Sequence, residues 1–306
     1  MNGLSPDIIE YIKTILPEDN IHADEPMSAH TTFRTGGPAK LLVEPETPEE
    51  IMTLLSYLKQ IEEPFFIKGN GSNLLVSDRG YDGVIIELNG KFSGIERSDR
   101  IIRAKAGAHL SAIAKEALDA SLTGFEFASG IPGTLGGGVV MNAGAYGGEL
   151  KDVIRDVTVL DGNNEILTLP AEDMEFGYRT SIIRKRPFTV LEASIELTEG
   201  DREEIREKTA ELNRMRREKQ PLEYPSAGST FKRPEGYFAG ELIMDAGLRG
   251  FSVGGAAVSE KHCGFVINKG RATSEDIREV ILEVTERVFD RFGVRLEPEI
   301  VFLGAF

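Results

Sequence analysis

The chain of 306 residues is longer than one typical hydrophobic core and predicts two or three packed domains. Its formal charge of -15, from 50 acidic against 35 basic residues, excludes non-specific nucleic-acid or anionic-membrane binding, so any anionic ligand must be held by a local site. A single cysteine, Cys263, excludes an internal disulfide framework, and neither a secretory leader nor an apolar run of membrane length is readable, which together predict a soluble cytoplasmic protein.

Ser5-Pro6 signals a helix start, with Ile8, Ile9, Ile12 and Leu16 on one face of a short docking helix. A polar connection follows. His30 to Pro45 then combines a Gly-Gly turn with the apolar run Leu41 to Val43, the pattern of a strand leaving a tight turn. Thr47-Pro48-Glu49-Glu50 is a capping box that opens a helix through about Gln60. Pro64 to Leu88 reads as strand, glycine turn, short apolar run, turn and strand. Arg100 to Gly107 predicts another strand and His109 to Ser121 a helix. Val153 to Leu169 predicts a hairpin around Asp161-Gly162-Asn163-Asn164, and Thr189 to Leu197 an alternating strand. Composition shifts at Gly200 into a highly charged helix that Pro221 ends, where a last domain is expected to begin. Glu241 to Leu248 predicts a short helix. Thr273, with Asp276 three residues on, caps a long helix that Gly293 stops. The closing segment alternates as a strand, with Glu297 and Glu299 on one face opposite Leu296 and Ile300.

Two glycine-rich stretches suggest a ligand. Gly130 to Gly148 carries eight glycines among aliphatic residues such as Ile131, Leu135 and Val139. That mixture differs from a Gly/Ser linker, and it lets the backbone run close to a partner while its aliphatic residues sit in a core. Exposed backbone N–H groups in such turns suit a phosphate or pyrophosphate. Gly69-Asn70-Gly71-Ser72-Asn73, directly after a predicted strand, is a second candidate phosphate loop, although the same turn serves equally as an ordinary hairpin. It is not a P-loop, because no Lys-Ser/Thr pair follows, and Leu74 stands where a dinucleotide fingerprint needs its third small residue.

Among the reactive groups, His22, His30, His109 and His262 lack metal-motif spacing, so no metal site is expected. His262 beside Cys263 reads as a buried thiol next to an unrelated imidazole, since adjacent residues of an extended segment point apart. Arg179, Ser229 and Glu299 are each open to two readings: a strand-edge charge, a turn hydroxyl and an edge carboxylate, or three members of a reaction centre.

Taken together, FRTGGPA, IKGNGSNLLV, GFEFASGIPGTLGGGVVMNAGAYGGE, FGYRTS, SAGSTFKRP, HCGFVIN and LEPEIVFLG resemble the UDP-N-acetylenolpyruvoylglucosamine reductase (UDP-N-acetylmuramate dehydrogenase) family, from about residue 30 to the C-terminus. The resemblance implies an α+β fold with a vanillyl-alcohol-oxidase/PCMH-type FAD-binding domain in two subdomains and a C-terminal α+β substrate domain. The corresponding division is 1–29 for the docking helix and connection, 30–199 for the FAD domain (about 30–91 and 92–199), and 200–306 for the substrate domain. It implies non-covalent FAD, NADPH as co-substrate and a UDP-sugar substrate. Gly69, Asn70, Gly71, Ser72 and Asn73, with Gly130, Pro132, Gly133, Gly137, Asn142 and Ala143, correspond to cofactor contacts. Ser229 corresponds to the proton donor, Arg179 to the cation that polarises the substrate carboxylate, and Glu299 to the third catalytic residue. Tyr178, Lys219 and Arg233 are the expected substrate contacts. Two departures stand out: no further tyrosine follows Tyr178 before the Gly200 helix, as in a shorter subgroup without a closing tyrosine loop, and Arg233 stands where the longer form has asparagine. A flavin oxidase of the same fold, or a non-redox UDP-sugar-binding module, are the competing readings.

Overall fold

The computed structural model describes residues 6–306. Ser5 lies outside the described residues, and helix α1 (Pro6–Ile12) begins at Pro6. Ile12 and Leu16 are buried against the first core, as the apolar spacing predicts.

The first unit is a four-stranded sheet in the order Ile21–Pro26, Pro38–Val43, Tyr81–Glu87, Phe65–Lys68, in which only the first pair is antiparallel. The inner strands carry continuous apolar runs, Leu41 to Val43 and Val84 to Ile86, because both of their faces are covered. Helix α2 (Pro48–Gln60) covers one face, and its capping box is present as expected: Thr47 accepts from the Glu50 amide while the Glu50 carboxylate accepts from the Thr47 amide. Ile21–Pro26 was expected to be connection rather than strand. It sits at the sheet edge with none of its residues fully buried, so it has no apolar stripe to betray it.

The second unit is a five-stranded antiparallel sheet in the order Ile166–Pro170, Ile154–Leu160, Thr189–Glu196, Ile101–Lys105, Ile95–Ser98. Helix α3 (Leu110–Asp119) packs on it, and so does α4 (Leu135–Met141), a helix built from Leu-Gly-Gly-Gly-Val-Val-Met. Helix propensity opposes this by about 1 kcal/mol per glycine. Packing overrides it. A Cβ on Gly136 would lie 2.9 Å from Ala106 Cβ, and one on Gly138 would lie 2.9 Å from Leu150 Cδ1, so these two glycines let the helix approach the core closely. Leu135 and Val139 complete the buried face.

Helix α5 (Arg202–Lys219), capped by Asp201, packs on α3 and on the 3-10 turn Glu126–Ala128, so its contacts run to the helical layer of the second unit although residue 200 was expected to open the last domain. The C-terminal unit has its own core, where α6 (Ala239–Asp245) and α7 (Ser274–Phe292) pack with the small sheet Ser252–Val253, Ala256–Val258, Val266–Asn268. The Thr273–Asp276 capping box and the left-handed Gly293 bound α7 as expected.

The chain end returns to the first unit. Val301–Leu303 pairs in parallel with Leu74–Val76. The Asp78 carboxylate also accepts from the Ser274 amide at 2.8 Å, at the start of α7, so two elements from the C-terminal part of the chain are tied to the strand–turn segment 65–78. Regular pairing of the last strand starts only at Val301, since Pro298 forms an isolated bridge to Phe231 and has no N–H to extend it. As a result Glu297 and Glu299 do not share an environment: their side chains are 69% and 11% exposed. Among the described residues no helix is long and apolar enough to cross a membrane.

Candidate active site

Two cavities meet where the three units join. The first, about 410 Å³, is bounded by the turn 69–73, the stretch 131–146 and the ends of α5 and the last strand. The second, about 420 Å³, opens between Tyr178, Arg233, Phe238 and the segment 261–264 of the C-terminal unit. Arg179, Ser229 and Glu299 line both.

The turn 69–73 depends on glycine where the backbone is tightest. Gly71 has φ 62°, and a Cβ there would stand 2.2 Å from the His30 carbonyl oxygen; a Cβ on Gly69 would stand 2.1 Å from Thr134 Oγ1. Asn70 Nδ2 donates to the Pro132 carbonyl at 2.9 Å, which ties the two glycine stretches together. Asn73 Nδ2 donates to the Glu299 carbonyl at 3.1 Å. All five residues of the turn line the first cavity, and so do Pro132, Gly133, Gly137 and Ala143.

Gly130 and Asn142, expected as cofactor contacts, do not line it. A Cβ on Gly130 would lie 2.7 Å from Asn213 Oδ1 and 2.8 Å from Arg216 Nη1, so this glycine makes room for α5. Asn142 is buried in the left-handed conformation that ends α4; its Nδ2 donates to Glu149 Oε2 at 2.9 Å and to the Gly177 carbonyl at 3.0 Å. It fixes the turn that carries Arg179.

That turn spans Gly177 to Thr180, closed by the Gly177 amide on the Thr180 carbonyl at 3.0 Å, and Arg179 adopts φ 55° within it. A non-glycine residue in that region carries strain of about 1–2 kcal/mol, a feature concentrated at functional sites. Arg179 Nε lies 2.7 Å from Glu299 Oε1. The contact is a close, largely buried ion pair, with the two side chains 23% and 11% exposed. Burial pushes the Glu299 carboxyl above its ordinary range, while Arg179 and, more weakly, Lys232 act against the shift.

Ser229 and Thr230, adjacent in sequence, have different fates. Thr230 is fully buried: its amide donates to the Gly264 carbonyl at 2.8 Å, its Oγ1 accepts from the Val266 amide at 2.9 Å, and its carbonyl accepts from the Glu299 amide at 2.8 Å. Ser229 is exposed to the cavities, and among the described residues no hydrogen bond fixes its hydroxyl. Thr230 thus holds Ser229 and Glu299 on adjoining segments.

Tyr178 and Arg233 line the second cavity and touch, with the Arg233 amide donating to Tyr178 Oη at 3.0 Å and the guanidinium lying 4.0 Å over the Phe238 ring. Lys219 lines neither cavity and is exposed. Arg216 and Gln220, one helical turn apart and linked at 2.9 Å, face the first cavity in its stead. His262 and Cys263 form no nucleophile–base pair: His262 Nδ1 accepts from the Gly264 amide at 3.1 Å, and burial raises the thiol and lowers the imidazole. Lys68, Thr134, Arg216 and Gln220 in the first cavity, and Arg249 and Lys261 in the second, were not singled out from sequence. Lys68 carried a signal, a lone charge closing the apolar strand Phe65–Lys68.

The first cavity fits a dinucleotide. Its volume falls in the range of small-molecule sites, two glycine turns bound it, and of its buried polar atoms Thr134 Oγ1 lacks a hydrogen-bond partner while Lys68 Nζ has only Glu87 for its three donors. No histidine or cysteine lines it.

A family model described as "FAD binding domain" matches residues 39–170 and one described as "UDP-N-acetylenolpyruvoylglucosamine reductase, C-terminal domain" matches 220–303. Fold and site therefore define an FAD-dependent oxidoreductase with a PCMH-type cofactor domain and a C-terminal α+β domain. Curated proteins named UDP-N-acetylenolpyruvoylglucosamine reductase are 54% identical in Caldanaerobacter subterraneus (97% of this chain, 98% of the relative) and 50% identical in Clostridioides difficile (97% and 98%). The crystal structure of the enzyme of that name from Thermus caldophilus superposes with a TM-score of 0.78 at 36% identity, over 91% of this chain and 97% of the other. The chain belongs to the UDP-N-acetylenolpyruvoylglucosamine reductase family.

Proposed function

We propose that this chain reduces UDP-N-acetylglucosamine enolpyruvate to UDP-N-acetylmuramate at the expense of NADPH, a step of peptidoglycan precursor synthesis, with FAD in the first cavity and the UDP-sugar in the second. The observation that carries this reading is the position of Arg179, Ser229 and Glu299 on the wall shared by both cavities. When bound there, FAD would supply the redox chemistry that carries a hydride from NADPH to the enolpyruvyl double bond. The turn 69–73 and the face of Gly133, Thr134 and Gly137 hold the dinucleotide.

Hydride addition at one carbon of that double bond leaves negative charge on the other, delocalised into the neighbouring carboxylate. Arg179 holds that carboxylate and stabilises the developing charge. The Ser229 hydroxyl, free to rotate, donates the proton that completes the new C–H bond. Glu299, set 2.7 Å from Arg179, fixes the guanidinium and, with its raised pKa, can return a proton to the site. Tyr178 and Arg233 contact the substrate at the mouth of the second cavity. A single cysteine and NADPH as reductant fit a cytoplasmic enzyme.

Purified protein tests this directly. Under anaerobic conditions NADPH should bleach the flavin band near ~450 nm, and UDP-N-acetylglucosamine enolpyruvate should then restore it. A flavin that bleaches but is not reoxidised by this substrate would overturn the substrate assignment, and protein without flavin would overturn the cofactor site.

A further inference from the structure

A buried chain of charges runs from the first cavity toward the surface and takes no part in the chemistry above. Lys68 ends strand Phe65–Lys68, immediately before Gly69, and its side chain is 2% exposed. Its register partner on the next strand is Glu87, whose Oε1 lies 2.8 Å from Lys68 Nζ. Glu87 Oε2 lies 2.7 Å from His30 Nδ1, and His30 Nε2 lies 3.0 Å from Glu25 Oε1 at a more exposed position. Asn89 Nδ2 donates to Glu87 Oε1 at 3.3 Å. Glu87 thus has partners on both oxygens. Lys68 does not match it, for its three N–H donors have only the Glu87 carboxylate as a partner among the described residues.

A buried ammonium with open donors is costly, and burial lowers the Lys68 pKa. A partner of opposite charge, approaching from the cavity side, would remove that cost. Lys68 lines the cavity next to the backbone of the turn 69–73, and the unpartnered Thr134 Oγ1 stands against Gly69 on the same wall. We propose that Lys68 is a diphosphate-binding residue for the dinucleotide cofactor, and that Glu87, steadied by His30 and Glu25, positions its ammonium. The inference rests on the assignment of FAD to the first cavity.

The arrangement makes a prediction of opposite sign for the two partners. Lys68→Met removes the cation and should weaken FAD binding about 10- to 100-fold. Glu87→Gln removes a negative charge from beside the phosphates while keeping hydrogen bonds to its neighbours, so FAD should bind as tightly as to the wild type or more tightly. Lys68→Met takes a charged partner from the buried Glu87 carboxylate, so the double variant K68M/E87Q, with both charges removed, guards against a folding defect.

The experiment strips FAD from wild type and the three variants, checks the melting temperature of each FAD-free protein, and titrates FAD by quenching of its fluorescence. It also measures the midpoint potential of the bound flavin. Weak binding by K68M and K68M/E87Q, with E87Q undiminished, supports the proposal. FAD binding by K68M/E87Q within about threefold of wild type overturns it. So does an E87Q defect as large as that of K68M, which would mark a purely structural pair. A shifted potential at unchanged affinity likewise overturns it, since Lys68 would then face the flavin ring. Wild-type protein that takes up no FAD would instead refute the cofactor assignment itself.

Discussion

The side-chain amide of Asn73 donates to the backbone carbonyl of Glu299 at 3.1 Å, across 226 positions of sequence. The Val301 amide returns a bond to the Asn73 carbonyl at 2.9 Å, so the turn of the first cavity and the carboxylate of the shared wall move as one piece. Asn73→Ala is expected to slow substrate reduction about 10-fold, because small misplacements of a positioned group are expensive, while flavin reduction by NADPH changes less. Stopped-flow measurement of the two half-reactions checks this. Equal slowing of both would mean that Asn73 serves the cofactor alone.

Arg179 combines a left-handed backbone with an ion pair to Glu299. Lysine keeps the charge but lacks the planar fork that meets a carboxylate with two parallel bonds. Arg179→Lys is therefore expected to lose at least about 10-fold in kcat, and Arg179→Gly about 10²- to 10³-fold, with the flavin-to-protein ratio unchanged. Full activity in Arg179→Lys would reduce the role of this residue to that of a generic charge.

Two cavity glycines are expected to respond differently to alanine. At Gly71, φ 62° and a backbone oxygen 2.2 Å from the new Cβ leave no room to adjust, so Gly71→Ala should cost about 3 kcal/mol of stability or more. At Gly137 the nearest atom to a new Cβ is Thr134 Oγ1 at 3.7 Å. Gly137→Ala should stabilise the FAD-free fold by up to about 1 kcal/mol through helix propensity, yet weaken FAD binding by filling the cavity. Thermal melts of the FAD-free proteins and FAD titrations separate the two effects. A melting temperature unaffected in Gly71→Ala would contradict the first.

Burial raises the Glu299 carboxyl above its ordinary value of 4.5, with Arg179 opposing. A raised carboxyl favours the protonated folded state, so its contribution to stability is fully present below pH 4.5 and is lost as pH rises through the folded value. Glu299→Gln, neutral throughout, should match or exceed wild-type stability at about pH 8 and lose that advantage in acid. Melting temperature against pH checks the sign, and a variant that is less stable only at alkaline pH would show that the ion pair outweighs burial.

Much of this architecture was readable from local rules. The capping boxes at Thr47 and Thr273, the left-handed stop at Gly293 and the hairpin at Asp161 are short-range signals that appear in the fold as expected. The edge strand Ile21–Pro26 and the helix Leu135–Met141 were not readable, because the first has no apolar stripe and the second opposes its own propensity to pack against Ala106 and Leu150. Asn142 and Asn73 have the same residue type and sit beside similar turns. Only tertiary contacts show that the amide of Asn142 fixes the Arg179 turn while that of Asn73 holds Glu299. Lys219 lies off the cavity wall for a related reason: at the end of a charged helix, neighbouring positions differ in which face meets the cavity, and Arg216 and Gln220 occupy that face.

Ser229 is the most direct test of the account, since its exposed hydroxyl stands at the wall between the cavities and is the assigned proton donor. Stopped-flow absorbance of Ser229→Ala, with the half-reactions measured separately under anaerobic conditions, should give flavin reduction by NADPH close to wild type and reoxidation by the enolpyruvyl UDP-sugar slower by about 10²- to 10⁴-fold. Reoxidation at the wild-type rate, or equal slowing of both half-reactions, would contradict it.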